Sequence, residues 1–163
     1  HRILVAGIGN IFMGDDGFGC EVVRRLAGTQ MPKGVVVVDY GIRGMHLAYD
    51  LLQSWSQLIL IDALPYRGSP GELQLIEVGP EHLGSADVDP HGMGPDAMLS
   101  SLGALGGQIP PTVLVGAEVS DISDRIGLSP QVEAAVPAAV DAIHSLLEQL
   151  LDLAPDLSNA EVG

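Results

Sequence analysis

Cysteine is nearly absent from this chain: Cys20 is the only one in 163 residues. A single cysteine cannot form an internal disulfide, and no segment has the charged, apolar and small-residue composition of a secretory leader. We therefore expect a reduced thiol and a cytoplasmic location.

Basic residues are also scarce. The chain has 7 lysines and arginines against 21 aspartates and glutamates, which gives a formal net charge of -14 at pH 7. This charge repels phosphate backbones and anionic lipid headgroups, so we expect no nucleic-acid partner. A cation, or a neutral or basic protein, is the expected partner.

Long apolar runs are missing, although the mean hydropathy of +0.32 is high. The runs at 35–38 and 58–61 are far shorter than the roughly 20 residues that a membrane-spanning helix needs, so we expect no membrane insertion. These runs predict buried strands. A chain of this length suits one domain, and we predict a single domain over residues 1–151 followed by a flexible C-terminal tail over 152–163.

Strand and helix patterns alternate along the chain. Apolar runs predict strands at 3–6, 35–39, 57–62, 72–78 and 111–117. Helical spacing of apolar residues predicts helices from 18 to a stop at Gly28, and at 44–54, 95–105 and 130–151, with Pro137 as a kink or a later start of the last helix. The apolar residues of segment 79–94 follow neither helical nor strand spacing.

This alternation predicts an α/β fold with three layers, α/β/α, around a mixed and mostly parallel five-stranded sheet. The predicted strand order is 2-1-3-5-4, with strand 4 antiparallel because no helix precedes it. The order reverses between strands 1 and 3, and their carboxyl ends border a crevice there.

Three residues from separate segments are candidates to meet at this crevice. Asp16 follows strand 1, Asp62 ends strand 3, and His91 lies in the aperiodic segment. Two carboxylates and one imidazole form a donor set for a divalent transition metal with open coordination positions.

Each candidate also has a purely structural interpretation. Asp16 could cap the following helix, although Asp15 is the better cap candidate. Asp62 could bond its own turn, and His91 could be solvated. Asp39, at the end of strand 2, could be a further acid or base or could shape its turn.

Other chemistries have less support. Cys20 is expected to pack as a small hydrophobic residue, and no G-x-S-x-G motif is present. The glycine turn that begins at Gly7 is similar to a dinucleotide-binding turn, but Phe12 occupies the third glycine position. A carboxylate pair there would also repel a pyrophosphate.

The opening motif resembles that of the [NiFe]-hydrogenase maturation proteases. It reads Gly7-x-Gly9-Asn10-x-x-x-x-Asp15-Asp16-x-x-Gly19, and it is followed by Asp39, Asp62 and a histidine near position 90. The resemblance extends to about residue 151.

This resemblance implies an endopeptidase that removes a C-terminal extension from the hydrogenase large-subunit precursor after nickel insertion. It assigns nickel contact to Asp16, Asp62 and His91, with the nickel carried by the substrate and no organic cofactor. The alternatives are a non-catalytic, nickel-sensing docking module for the large subunit and, less favoured, a nucleotide-binding oxidoreductase. Hydrolysis could use the metal or a carboxylate as general base.

Overall fold

The computed structural model describes residues 2–78 and 109–153. The strands are β1 (Ile3–Ile8), β2 (Val35–Gly41), β3 (Gln57–Leu64), β4 (Leu73–Val78) and β5 (Thr112–Glu118). The helices are α1 (Phe18–Ala27), α2 (Gly44–Asp50) and α3 (Pro130–Leu153), and a 3-10 turn at Gly14–Gly17 precedes α1. The helix predicted at 95–105 and the segment 79–94 lie outside the described residues.

The five strands form one sheet in the predicted order, β2-β1-β3-β5-β4. Strand β1 runs parallel to β2 and β3, β3 runs parallel to β5, and β4 is antiparallel to β5. Gly7 is paired with Asp39 on one side and with Ile61 on the other. Asp39 and Asp62 therefore lie near the same edge of the sheet, on either side of β1.

Side chains alternate between the two faces of the sheet, and each face has its own core. Ile3 and Val5 of β1 pack with α1 and α3, whereas Leu4, Ala6 and Ile8 pack with α2. This arrangement confirms the three-layer architecture. No helix within residues 2–78 or 109–153 is long and apolar enough to cross a membrane.

Several predicted strands and helices end too early. Strand β3 continues past Asp62 to Leu64, and β2 continues past Asp39 to Gly41. Backbone pairing persists beyond the last apolar residue where a neighbouring strand supplies partners, as β5 does for Leu64. The last helix begins at Pro130, runs through Pro137 and ends at Leu153, so residues 152 and 153 are helical rather than part of a tail.

Two glycines let α1 pack closely against the sheet. A Cβ on Gly7 would lie 2.5 Å from Val23 Cγ2 and 2.6 Å from the carbonyl oxygen of Gly19. A Cβ on Gly19 would overlap the carbonyl oxygens of Ile8 and Ile61. The first turn of α1 is therefore held directly over the ends of β1 and β3.

Asp15 joins the 3-10 turn to a distant part of the chain. Its side chain is buried, and its Oδ2 accepts hydrogen bonds from the N–H of Ser120, the N–H of Asp121 and the hydroxyl of Ser129, each at 2.8 Å. Its Oδ1 accepts the N–H of Ser129 at 2.7 Å. The predicted capping of α1 by Asp15 is wrong, because the carboxylate is used for this long-range contact.

Backbone hydrogen bonds extend the same contact. The N–H of Asp15 donates to the carbonyl of Asp121 at 2.8 Å, and the N–H of Gly14 donates to that of Arg125 at 2.9 Å. The N–H of Arg125 donates in return to the carbonyl of Phe12 at 3.1 Å. Backbone hydrogen bonds thus join the turn after β1 to the loop after β5 at several positions.

Replacing Asp15 should destabilise the fold. Asp15→Ala leaves three backbone N–H groups without their acceptor, and we expect the free energy of unfolding to fall by about 3 kcal/mol. Urea unfolding followed by circular dichroism measures this change. Asp124→Ala, which alters an exposed acid in the same loop, is the matched control and should leave the urea midpoint near that of the wild type. Equal midpoints for both variants would contradict the role of Asp15.

The close approach at Gly19 can be tested by adding one methyl group. Gly19→Ala pushes a Cβ into two backbone carbonyls, so we expect a loss of roughly 1–3 kcal/mol in the free energy of unfolding. Gly44→Ala, at the start of α2, is the control because a Cβ there meets nothing within 4 Å. That variant should be neutral or slightly stabilising, since alanine favours helix. A Gly19→Ala protein as stable as the control would refute the packing.

Candidate functional site

The candidate residues occupy one edge of the sheet in the described structure. Asp16 lies in the 3-10 turn, Asp62 in β3 and Asp39 in β2. His91 lies outside the described residues. The geometry below therefore concerns the three carboxylates and their neighbours.

Asp16 is held by the loop that follows β1. Its Oδ2 accepts a hydrogen bond from the N–H of Asn10 at 2.8 Å, and its side chain is half-buried. The capping residue of α1 is Gly17, and no side chain caps that helix. The capping interpretation of Asp16 is therefore wrong, and its carboxylate is directed to the Asn10 turn.

Asp62 is nearly inaccessible, with 8% of its surface exposed. Its Oδ1 accepts a hydrogen bond from the N–H of Ala63 at 2.8 Å. The structural interpretation of Asp62 predicted a local hydrogen bond of this kind in a turn. The bond is present, but β3 continues through Asp62, so there is no turn at this residue. This bond restrains one oxygen of the Asp62 carboxylate.

Asp39 shapes the turn after β2. Its Oδ1 accepts the N–H of Gly41 at 2.9 Å, and Gly41 has φ 57, a left-handed conformation that glycine adopts readily. The guanidinium of Arg43 donates to the carbonyl oxygen of Asp39 at 2.9 Å. The turn-shaping role of Asp39 is thus visible, and its carboxylate also approaches Cys20.

Cys20 lies in the first turn of α1, beside the loop that follows β1. Its thiol is buried and donates to the carbonyl oxygen of Gly9 at 3.6 Å. Burial is the main cause that raises the pKa of the Cys20 thiol, and the negative charges of Asp39, Asp16 and Asp62 raise it further. Carboxylates from three separate segments therefore influence one thiol.

The burial predicted for Cys20 is confirmed, but its position beside the candidate site was missed. The sequence did contain a signal. Cys20 lies four residues after Asp16, so the first turn of α1 brings its side chain to the end of β1.

Glu118 is a second residue that the sequence analysis missed. It lies at the end of β5, is 3% exposed and accepts the N–H groups of Arg67 at 2.7 Å and Ser69 at 3.2 Å. These bonds anchor the loop that follows β3. The signal was an acidic residue at the end of β5, where Glu118 is paired with Leu64, two residues beyond Asp62.

This edge of the sheet is suited to a positive charge. Asp16, Asp39 and Asp62 lie in the turn or near the strand ends at this edge, so their summed negative charge attracts a cation and repels a phosphate. Within the described residues, no three side chains of histidine, cysteine, aspartate or glutamate are arranged to hold a metal ion. The predicted set of Asp16, Asp62 and His91 includes one residue outside that range.

Comparison with known proteins identifies relatives over most of the chain. Residues 20–146 match the family model of the hydrogenase maturation proteases. The hydrogenase 2 maturation protease of Escherichia coli is 32% identical over 152 residues, which cover 91% of this chain and 92% of that protein.

Solved structures agree with the sequence matches. The hydrogenase maturating endopeptidase HybD from Escherichia coli has a TM-score of 0.78 at 30% identity, over 91% of this chain and 93% of its own. The [NiFe] hydrogenase maturation protease HybD from Thermococcus kodakarensis has a TM-score of 0.72 at 29% identity, over 90% of this chain and 99% of its own. With its sheet order and its glycine and aspartate turn, this chain belongs to the hydrogenase maturation protease family and is a peptidase.

Proposed function

We propose that this peptidase removes the C-terminal extension from the large-subunit precursor of a [NiFe] hydrogenase after nickel has been inserted. The observation that carries the proposal is the family membership of the chain, together with the position of Asp16 in the turn after β1 and of Asp62 in the neighbouring strand β3. The Thermococcus kodakarensis relative is a [NiFe] hydrogenase maturation protease, which supports a [NiFe] hydrogenase as the client here. Processing takes place in the cytoplasm.

The precursor brings its own nickel to the site. In this proposal the ion contacts Asp16, Asp62 and His91, two oxygen donors and one imidazole that suit a divalent transition metal. The contribution of His91 rests on the family resemblance. An empty precursor lacks the ion that anchors it here, so the enzyme acts on completed subunits.

A water molecule is the nucleophile in the proposed reaction. The raised pKa keeps the Cys20 thiol protonated at neutral pH, and a thiol is a poor nucleophile compared with a thiolate. Water adds to the scissile carbonyl, and the peptide bond breaks to give a carboxylate and an amine. Asp16, Asp62 and His91 position the nickel-bearing segment so that this carbonyl lies in the crevice.

A non-catalytic docking module would use the same crevice to bind nickel-loaded precursor without cutting it. The family membership favours the peptidase. Mass spectrometry of the precursor separates the two, because only a peptidase shortens it.

The three proposed nickel contacts can be tested directly. Asp16→Ala, Asp62→Ala and His91→Ala should each lower the processing rate of nickel-loaded precursor by about 100-fold or more, since losing a residue behind a metal ligand already costs roughly 10- to 100-fold. Processing is measured by mass spectrometry of the large subunit over time.

Asp124→Ala is the control for these variants, since it removes an exposed acid and keeps the crevice intact. Wild-type rates in any one of the three variants would remove that residue from the site. Wild-type processing rates in both Asp16→Ala and Asp62→Ala would refute the proposed function.

Cys20 should be dispensable for the chemistry. Cys20→Ala and Cys20→Ser should keep processing within about tenfold of the wild type, because the pKa of the thiol is raised and the proton stays on sulfur. In the folded wild type, iodoacetamide should label Cys20 slowly at both pH 7 and pH 9. Complete loss of processing in both variants, with their urea midpoints preserved, would instead indicate a thiol nucleophile.

A further inference from the structure

Asn10 is a polar residue of the opening motif. It lies where the chain leaves β1, and its side chain bonds to the backbone of its own turn. Its Oδ1 accepts the N–H of Phe12 at 2.9 Å, and its carbonyl oxygen accepts the N–H of Met13 at 3.1 Å. Asn10 therefore closes the turn from two sides.

The same turn presents the N–H of Asn10 to the site. This group donates to Oδ2 of Asp16 at 2.8 Å. The direction of a backbone N–H follows from the peptide plane that contains it. Whatever fixes the peptide between Gly9 and Asn10 also fixes the donor that Asp16 accepts.

Contacts on both sides hold that peptide. Its own carbonyl oxygen, that of Gly9, accepts the Cys20 thiol at 3.6 Å. On the N-terminal side, Gly9 donates to the carbonyl oxygen of Gly41 at 2.9 Å and has φ 140, and a Cβ there would overlap the carbonyl of Asp16. On the C-terminal side, the Asn10 side chain accepts the N–H of Phe12 and so restrains the backbone that follows the peptide.

We propose that Asn10 is a positioning residue that aims the Asp16 carboxylate at the nickel of the precursor. It acts through Asp16 and does not touch the substrate. This inference rests on the proposed function, because it concerns how one of the three proposed nickel contacts is oriented.

The chemistry of the turn predicts an order among substitutions. A side-chain oxygen two bonds beyond Cβ closes this turn, so aspartate can replace asparagine. Glutamine has the same amide group but one more methylene, which places its oxygen too far out to close the same turn. Alanine has no acceptor. The order of function should therefore be Asn10→Asp above both Asn10→Gln and Asn10→Ala.

The experiment measures kcat and KM for nickel-loaded precursor with these three variants. Asn10→Ala and Asn10→Gln should lose roughly 10- to 100-fold in kcat/KM, mainly through a higher KM, as expected when a group that orients a metal ligand is removed. Asn10→Asp should stay within a few-fold of the wild type. A merely structural role of the turn would lower the urea midpoint in step with the activity, whereas a positioning role raises KM in variants that keep the wild-type urea midpoint.

Asp124→Ala is the control. Asp124 is an exposed acid in the loop after β5, and its substitution leaves the hydrogen bonds of the Asn10 turn intact. That variant should process at the wild-type rate.

The proposal is overturned if Asn10→Gln processes as well as Asn10→Asp, or if Asn10→Ala matches the wild type. Comparing two polar variants keeps the test decisive even if Asn10→Ala fails to fold. Asp16→Ala and Asp62→Ala are assayed beside them on the same precursor. Wild-type activity in both of these variants would refute the proposed function, whereas an inactive Asp16→Ala beside an active Asn10→Ala would refute only the positioning role.

Discussion

The buried carboxylate of Asp15 is the contact on which the geometry of this site depends. Withdrawing a carboxylate from water costs several kcal/mol, and such a group is tolerated only where donors surround it. Here four donors from Ser120, Asp121 and Ser129 do so. The 3-10 turn therefore cannot shift without breaking contacts to the loop after β5 and to the start of α3. Asp16 is the next residue, so its position depends on the same contact.

The two adjacent aspartates have different roles: Asp15 stabilises the fold, and Asp16 belongs to the candidate site. Asp15 is directed into the protein, whereas Asp16 is half-buried at the crevice. The close packing at Gly19 fixes the height of this turn above the ends of β1 and β3. One short segment thus sets both the attachment of α1 and the place of a candidate nickel contact.

Backbone N–H groups hold the acidic residues at this edge of the sheet. Asp39 accepts from Gly41 and Asp62 accepts from Ala63, and Glu118 accepts from the loop after β3. Peptide dipoles can stabilise carboxylates without adding a full positive charge. The edge therefore keeps its negative potential, which suits a peptidase whose proposed substrate arrives with a bound cation.

Much of this arrangement could be predicted from the sequence. Short connections and right-handed crossovers leave few strand orders open, so the order 2-1-3-5-4 followed from the alternation of strands and helices. Asp16 and Asp62 could be placed at one edge because the carboxyl ends of parallel strands meet there. The packing of the first turn of α1 over the ends of β1 and β3 agrees with that reasoning, and His91 stays a prediction.

The sequence by itself determined the layers and the strand order, because these follow from local periodicity and the rules of chain connection. The tertiary structure alone decided that Asp15 fastens the loop after β5, that the Cys20 thiol donates to the carbonyl oxygen of Gly9, and that β2 and β3 continue past their aspartates. The physical reason is distance along the chain. Asp15 meets donors more than one hundred residues away, and no local pattern of side chains records which backbone groups will be brought to it.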